Sequence, residues 1–362
     1  MMSGSARRNE VFRDYTVPMM TDDTISELHL PQVKGCERLD DFRKHEVTPE
    51  ATVRINSRSF APLSYDHFVR DFEPWQKISH RSKSPTWKKH SRPVLNGFWI
   101  NSIFGHPAWS TSYFHWHRNF LTRLNFLISQ GFSDINVIVK DDPPDYELQS
   151  LKALGVRSNK MFRFSEVRGK FLENVITVTG IDYHDHSLLY DFVRPSALRA
   201  VSKKITDYFE IESVGPKRNI FALRGNGLGR HLSNESDIIH HLEKDGFEAI
   251  DIGGLTYKDQ VHLFSNVTKL VGVHGAALTN IMFAEKPLIL ELTALGHGVR
   301  PDFLPFAEAA GGKLTILGFP SENPQNDIFV PKDMVSWWLN QDSLPNHQAV
   351  IFMQNSNNGR MQ

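Results

Sequence analysis

Apolar residues fall into two regimes along the chain. Up to about residue 92 they are scattered among polar residues and charge clusters such as HRSKSPTWKKH, a pattern that predicts only short strands, loops and a frayed start. From residue 93, short apolar runs alternate with amphipathic segments. VLNGFWI reads as one buried strand. In the following SYFHWHRNFLTRLNFLISQGF, Phe120, Leu121, Leu124, Leu127 and Ile128 recur at helical spacing and Gly131 stops the helix. INVIVK is a β-branched run and predicts a strand. Pro143 and Pro144 then mark a turn, and a helix through Leu148, Leu151 and Leu154 closes at Gly155. NVITVTG predicts a third strand, and PSALRAVSKKITDYFE a long helix that Pro195 is placed to start.

A turn at GPKR, residues 215–218, marks a domain junction, after which the alternation is cleaner. NIFAL, FEAIDI, KLVGV, LILEL and KLTILG read as strands. SDIIHHLEKDG, TYKDQVHLFSN with Thr256 as cap, ALTNIMFA and DFLPFAEAAGG read as the helices between them. Short loops between alternating strands and helices call for a parallel sheet covered on both faces. The expected architecture is therefore α/β, with two such units facing one another. The boundaries are a poorly defined segment 1–92 packed on the first domain, a first domain at 93–214, a second at 215–330, and a C-terminal helix and tail at 331–362. Trp337 and Trp338 are expected to pack that helix back across the domains. The final SNNGRMQ is disordered in composition.

Composition narrows the function. A length of 362 residues suits two domains at roughly 150 residues each. Lys+Arg and Asp+Glu both number 41, and a formal charge of zero argues against nucleic acid as the main partner, because phosphate backbones are held by a cationic surplus. The single cysteine, Cys36, excludes an intrachain disulfide and fits a reducing compartment. No apolar run approaches the roughly 18 residues of a membrane span, and MMSGSARRNEVFRDY lacks the apolar centre of a secretory signal. The expectation is a cytoplasmic protein.

In an open parallel sheet, ligands bind beyond the carboxyl ends of the strands. RGNGLGR follows NIFAL, HGAALTN follows KLVGV, and Glu291 closes LILEL, so one sheet edge collects Arg224, Arg230, a glycine turn into a helix, and a carboxylate. Gly275 allows a tight passage from strand to helix, whose first N–H groups and dipole favour phosphate. Two guanidinium forks match phosphate oxygens, so a diphosphate held there needs no metal. Glu291 has the placement to accept hydrogen bonds from two ribose hydroxyls. Each residue also has a plainer reading: a flexible loop for the glycines of RGNGLG, which do not make GxGxxG spacing, a helix cap for Asn234, a salt bridge for Glu291, and a packed turn histidine for His274. In the first half, His115 falls in the first helical turn after WSTSYF, where the helix end disfavours imidazolium and leaves a neutral general base. The alternative is a histidine packed beside Trp116. DYHDH at 182–186 brings two carboxylates, Asp182 and Asp185, and two imidazoles together. Without a second ligand cluster at closed spacing, it reads as a polar loop rather than a metal site.

Taken together, Arg224 through Arg230, Asn234–Glu235, Gly246–Phe247, Gln260, HGAALTN and Glu291 resemble glycosyltransferase family 61. So do YFHW around His115, Arg123–Leu124 and FVRP at 192–195. The resemblance covers roughly residues 95–320. It implies a GT-B architecture of two facing Rossmann-like domains with parallel sheets, the second holding a nucleotide sugar and the first an acceptor. It also implies inverting, metal-independent transfer from donors such as UDP sugars, with no cofactor, and a place in surface polysaccharide or glycoconjugate synthesis. By carry-over the donor residues are Arg224, Arg230, His274, Gly275, Ala276, Ala277, Asn280 and Glu291, and His115 is part of the reaction crevice; the base is expected to be His115, Asp182 or Asp185. The partners are a nucleoside-diphosphate sugar and a glycan, not nucleic acid, with peripheral membrane association and oligomeric state left open. The signature's second glycine is Ala277 here. Asn119 stands where an acid commonly follows the HW pair, which motivates the alternative of a catalytically inactive sugar-nucleotide or glycan binder. A dinucleotide oxidoreductase lacks its GxGxxG.

Overall fold

The computed structural model describes residues 52–60, 93–102, 112–179, 182–185, 190–212, 215–225, 229–297, 300–340 and 347–351. The described residues fall into two compact units, one holding residues up to 183 together with 196–210, the other residues 184–195 and 211 onward.

The first unit is built on strands β1 (Thr52–Phe60), β2 (Val94–Leu95), β3 (Phe98–Asn101), β4 (Ile135–Val139), β5 (Met161–Arg163) and β6 (Phe171–Thr179), in the order β1-β6-β3-β4-β5 with β2 also on β6. VLNGFWI is thus two strands rather than one. Its break falls at Gly97, whose φ of 108° is open to glycine and takes the chain out of the extended region. The β3–β4, β4–β5 and β3–β6 pairs are parallel, as the alternation requires, and β1 adds an antiparallel edge from the segment before residue 92. β4 is buried at all five positions, which explains why it is β-branched throughout except at Asn136. The helix that follows β3, α1, begins as α-helix at Tyr113–His115, widens to a π-type stretch at Trp116–Leu121 and returns to α-helix at Thr122–Ser129. Its Phe120, Leu121, Leu124 and Leu127 are buried, as the spacing predicted, but Ile128 stays only partly covered. Helix α2 (Asp145–Ala153) lies between β4 and β5. The short α3 (Phe164–Val167) leads into β6. The DYHD part of DYHDH is strand rather than loop: β7 (Asp182–Asp185) pairs with β8 (Tyr190–Val193) as a two-stranded sheet. α4 (Pro195–Tyr208) starts at the proline that marked it.

Among the described residues the larger sheet of the second unit has six strands, in the order β10-β9-β11-β12-β13-β14, every pair parallel: β9 (Arg218–Ala222), β10 (Phe247–Ile250), β11 (Val267–Val273), β12 (Leu288–Ala294), β13 (Lys313–Phe319) and β14 (His347–Ile351). The sixth strand, β14, extends the five read from sequence. Phe221, Val271, Leu290, Leu292 and Leu317 form the sheet's side of a core that α5 (Glu235–Glu243) covers with Ile238 and Leu242. α6 (Tyr257–Ser265) is capped by Thr256, whose hydroxyl accepts from Asp259 N at 3.2 Å. ALTNIMFA forms a 3-10 rather than an α-helix, at Ala276–Phe283, and α7 (Leu304–Ala309) precedes β13. α8 (Lys332–Leu339) buries Met334, Val335 and Trp338 in this unit's own core, with Trp337 packed against its edge. The tryptophan pair therefore serves the second unit's own core. SNNGRMQ lies outside the described residues. Among the described residues, no helix is long and apolar enough to cross a membrane.

Candidate functional site

The carboxyl edge of the second sheet is organised around the turn after β11. His274 N donates to Leu292 O at 2.8 Å, carrying the ladder one residue past the strand. Gly275 then opens the 3-10 helix, whose first bond runs from Leu278 N to Gly275 O at 3.0 Å, so the N–H groups of Ala276 and Ala277 precede any helical partner. Ala276 is exposed and Ala277 half-buried. The need for glycine at 275 is a matter of space, because its φ of 176° is extended backbone open to any residue. A Cβ there would lie 2.6 Å from Arg224 Nη1.

Arg224 fills that space and is held by main chain. Its Nε donates to Gly229 O at 2.7 Å and its Nη1 to His274 O at 2.8 Å. The loop that returns to Arg230 is pinned by Arg230 N donating to Gln325 O at 2.9 Å. Gly229 has φ 79°, and a Cβ there would sit 2.5 Å from Gln325 O, a main-chain atom that cannot withdraw. Arg230 itself is held at φ 61°, a left-handed conformation a branched or long side chain seldom adopts, and such strain clusters at functional sites. Burial, and then the charge of Arg230, lower Arg224 to about 10. Arg230 is lowered by burial and by Arg300. These half-buried guanidiniums stay charged at neutral pH while disfavouring one another, which is the field an anion relieves.

Glu291 lies elsewhere than its sequence reading placed it. β12 runs on to Ala294, so Glu291 sits in mid-strand, opposite Gly272 of β11, with no exposed surface. It is behind the turn and has no face for ribose hydroxyls. Its Oε1 is 2.5 Å from His274 Nδ1, and its Oε2 has no hydrogen-bond partner. On the far side of the ring, His274 Nε2 is 3.5 Å from Asp302 Oδ2, which Arg300 Nη2 meets at 3.0 Å. Burial raises Glu291 to about 8, against the pull of Arg300 and Arg230. Burial, then Arg230, Arg300 and Arg224, push His274 well below its ordinary value. Both partners are driven towards their neutral forms, with one proton shared along a short contact.

Asn280 is fully buried, and its Nδ2 donates to Gln260 Oε1 and Ala277 O, each at 3.1 Å. Gln260 in turn donates to Leu255 O at 3.1 Å. This pair ties the 3-10 helix to α6 behind the site. Asn234 starts α5 without capping it: its side chain accepts from Val330 N at 3.1 Å and donates to Val330 O at 2.8 Å, stapling residue 330 to the helix start. Arg300 and Asp302 gave no sequence signal. They lie in a short segment before α7, and Asp302 meets the His274 ring.

In the first unit, His115 Nδ1 is 3.0 Å from Asn119 Oδ1. An amide oxygen only accepts, so Nδ1 carries the proton and Nε2 is the acceptor nitrogen, the tautomer a base requires. Its neighbours are sequestered: Trp116 is buried and donates to Ser150 Oγ at 2.9 Å, and His117 is buried with Nδ1 donating to Tyr113 O at 2.8 Å. The side chains of Asp182 and Asp185 lie outside the described residues.

No curated protein sequence matches the chain significantly. Among solved structures, the crystal structure of the dodecameric iron-containing heptosyltransferase TibC in complex with ADP-D-beta-D-heptose is 10% identical, with a TM-score of 0.26. The alignment takes in 67% of this chain and 62% of that one, so the chain spans less than two thirds of that structure's length, and the likeness is too loose to bear on the site. Each of the two units is by itself an α/β unit built on a largely parallel sheet, of the Rossmann-like kind. Residues 113–289, from the start of α1 into β12 just short of Glu291, match the family model described as Glycosyltransferase 61, so this segment of the chain is similar to that family.

Proposed function

We propose that the protein is an inverting glycosyltransferase that moves a sugar from a nucleoside-diphosphate sugar, of the UDP class, to a glycan hydroxyl without a metal ion. The observation that carries the reading is the convergence of Arg224, Arg230 and Arg300 on the HGA turn: Arg224 donates to the His274 carbonyl and Arg300 meets Asp302 beside the His274 ring, while Arg230 disfavours the charge of Arg224, Arg300 that of Arg230, and all three the imidazolium of His274. A diphosphate relieves all three effects, and the N–H groups of Ala276 and Ala277 are placed to help. The acceptor oxygen attacks the anomeric carbon from the face opposite the diphosphate. The bond from that carbon to the diphosphate oxygen breaks, and the hydroxyl proton passes to a base. We assign the base to His115, whose tautomer Asn119 sets; Asp182 and Asp185 are the alternatives. The amide at 119, which raised the binding-only alternative, thus has a use in an active enzyme. The setting, cytoplasmic synthesis of surface polysaccharide or glycoconjugates, is carried over from the family resemblance alone.

Arg224 supplies charge-assisted donors worth about 3 kcal/mol to the leaving diphosphate. Arg224→Ala is therefore expected to lose UDP binding in calorimetry and to lower turnover by about a hundredfold while its circular dichroism and melting stay near wild type. Unchanged UDP affinity would remove the diphosphate reading.

A further inference from the structure

The buried groups behind the turn form a continuous line. Glu291 Oε1 meets His274 Nδ1, His274 Nε2 faces Asp302 Oδ2, and Asp302 holds Arg300 Nη2. The side chains of Glu291, His274 and Asp302 are 0%, 7% and 4% exposed, and the Phe303 ring packs edge-on against the imidazole at 5.3 Å. A ring so enclosed has no room to touch a ligand. What leaves the enclosure is at its two ends: the His274 carbonyl, which receives Arg224 Nη1 at 2.8 Å, and the Arg300 side chain, 29% exposed.

We infer that Glu291, His274 and Asp302 are positioning residues that aim two guanidiniums at one anion, Arg224 through the His274 carbonyl and Arg300 through the Asp302 carboxylate, and that Arg300 is a third cationic arm of the diphosphate site. This rests on the donor-site reading above and adds to it a residue beyond the matched family segment. Fixing the ring on both sides fixes the backbone of residue 274, and with it the carbonyl that orients Arg224. Asp302 ties Arg300 to the same ring, so the two arms share one support. Preorganised charges of this kind need no rearrangement when the anion arrives. The buried carboxylates have a cost if exchanged singly, since an imidazole left facing an apolar gap loses its partner.

Inorganic pyrophosphate, which needs no knowledge of the nucleotide, serves as the probe, titrated calorimetrically into wild type, Arg224→Ala, Arg300→Gln, Asp302→Asn and the Arg300→Gln/Asp302→Asn double variant, with thermal melting measured on each. The expectation is about a tenfold loss of affinity for Arg300→Gln, from the loss of one charge-assisted contact. Asp302→Asn is expected to lose a similar amount in the wild-type background and little more in the Arg300→Gln background, because it acts through that arginine. A carboxylate of merely structural importance would lower the melting temperature and weaken pyrophosphate equally in both backgrounds, which would overturn the positioning role. Unchanged affinity in Arg300→Gln, with Arg224→Ala weakened, would overturn the third arm while leaving the donor reading standing. No binding by wild type, or an unaltered Arg224→Ala, would overturn both. Should Asp302→Asn not fold, Arg300→Gln, at a partly exposed position, decides the matter by itself.

Discussion

At the scale of single residues, the site depends on space as much as on charge. Gly275 is required because a guanidinium occupies the volume its side chain would take, and the obstructing atom is the far end of a flexible arginine. Gly275→Ala is accordingly expected to fold, with its Cβ displacing Arg224 from the His274 carbonyl. UDP affinity measured by calorimetry should fall about tenfold or more with a melting temperature close to wild type. A variant that binds as wild type would show that Arg224 needs no such seat. Glycine itself was plain in the sequence as a turn residue. The reason for it was not, since Arg224 lies about fifty positions away and only the pairing of β9 with β11 brings the two together.

At the scale of elements, the first helix shows how a local change of winding sorts neighbouring polar side chains. The π-type stretch at Trp116–Leu121 buries Trp116, His117 and Arg118 while leaving His115 half-exposed beside Asn119. The apolar spacing of Phe120, Leu121, Leu124 and Leu127 announced the helix. It could not announce the inward turn of His117, which follows from the local widening. Burial lowers His117 from 6.5 to about 4, against the smaller opposing effect of its bond to Tyr113. A depressed histidine contributes stability that is full above the unfolded value and is lost as pH falls from about 6.5 towards 4, in all about 3 kcal/mol. The His117 ring resonances should therefore stay unchanged from pH 7.5 to 5 in an NMR titration, and a midpoint near 6.5 would show the ring to be solvated in solution.

At the scale of the whole molecule, the balanced charge conceals a concentrated field. Equal totals of 41 acidic and 41 basic residues coexist with three guanidiniums at one sheet edge, enough for a diphosphate and far too few for a nucleic-acid backbone. With cationic arms and helix N–H groups supplying the neutralisation, sugar transfer from a UDP-sugar is expected to proceed undiminished in excess EDTA, as followed by release of UDP in the presence of acceptor. A strict requirement for a divalent ion would transfer the neutralising role to a metal and return attention to Asp182 and Asp185.

Periodicity, proline and glycine determined the alternation of strands and helices from residue 93 onward, because those signals act within a few residues: β4, α2, α4, β9, α6 and β11 all lie where the apolar pattern puts them. The sequence also named the chemistry of the edge, an arginine pair beside HGA. Tertiary structure alone decided what each polar residue does there. Glu291 and Asn280 stand in the stretch expected to hold a donor yet are turned inward, Glu291 to His274 and Asn280 to Gln260, because the flanking strand and helix continue past them and exclude solvent. Asn234 forgoes a cap for the backbone of Val330, 96 residues away, and Asp302 with Arg300 joins the site from a segment that no local pattern marks. Burial and long-range pairing are properties of the packed sheet, and no spacing along the chain encodes which face of a strand another segment will come to cover.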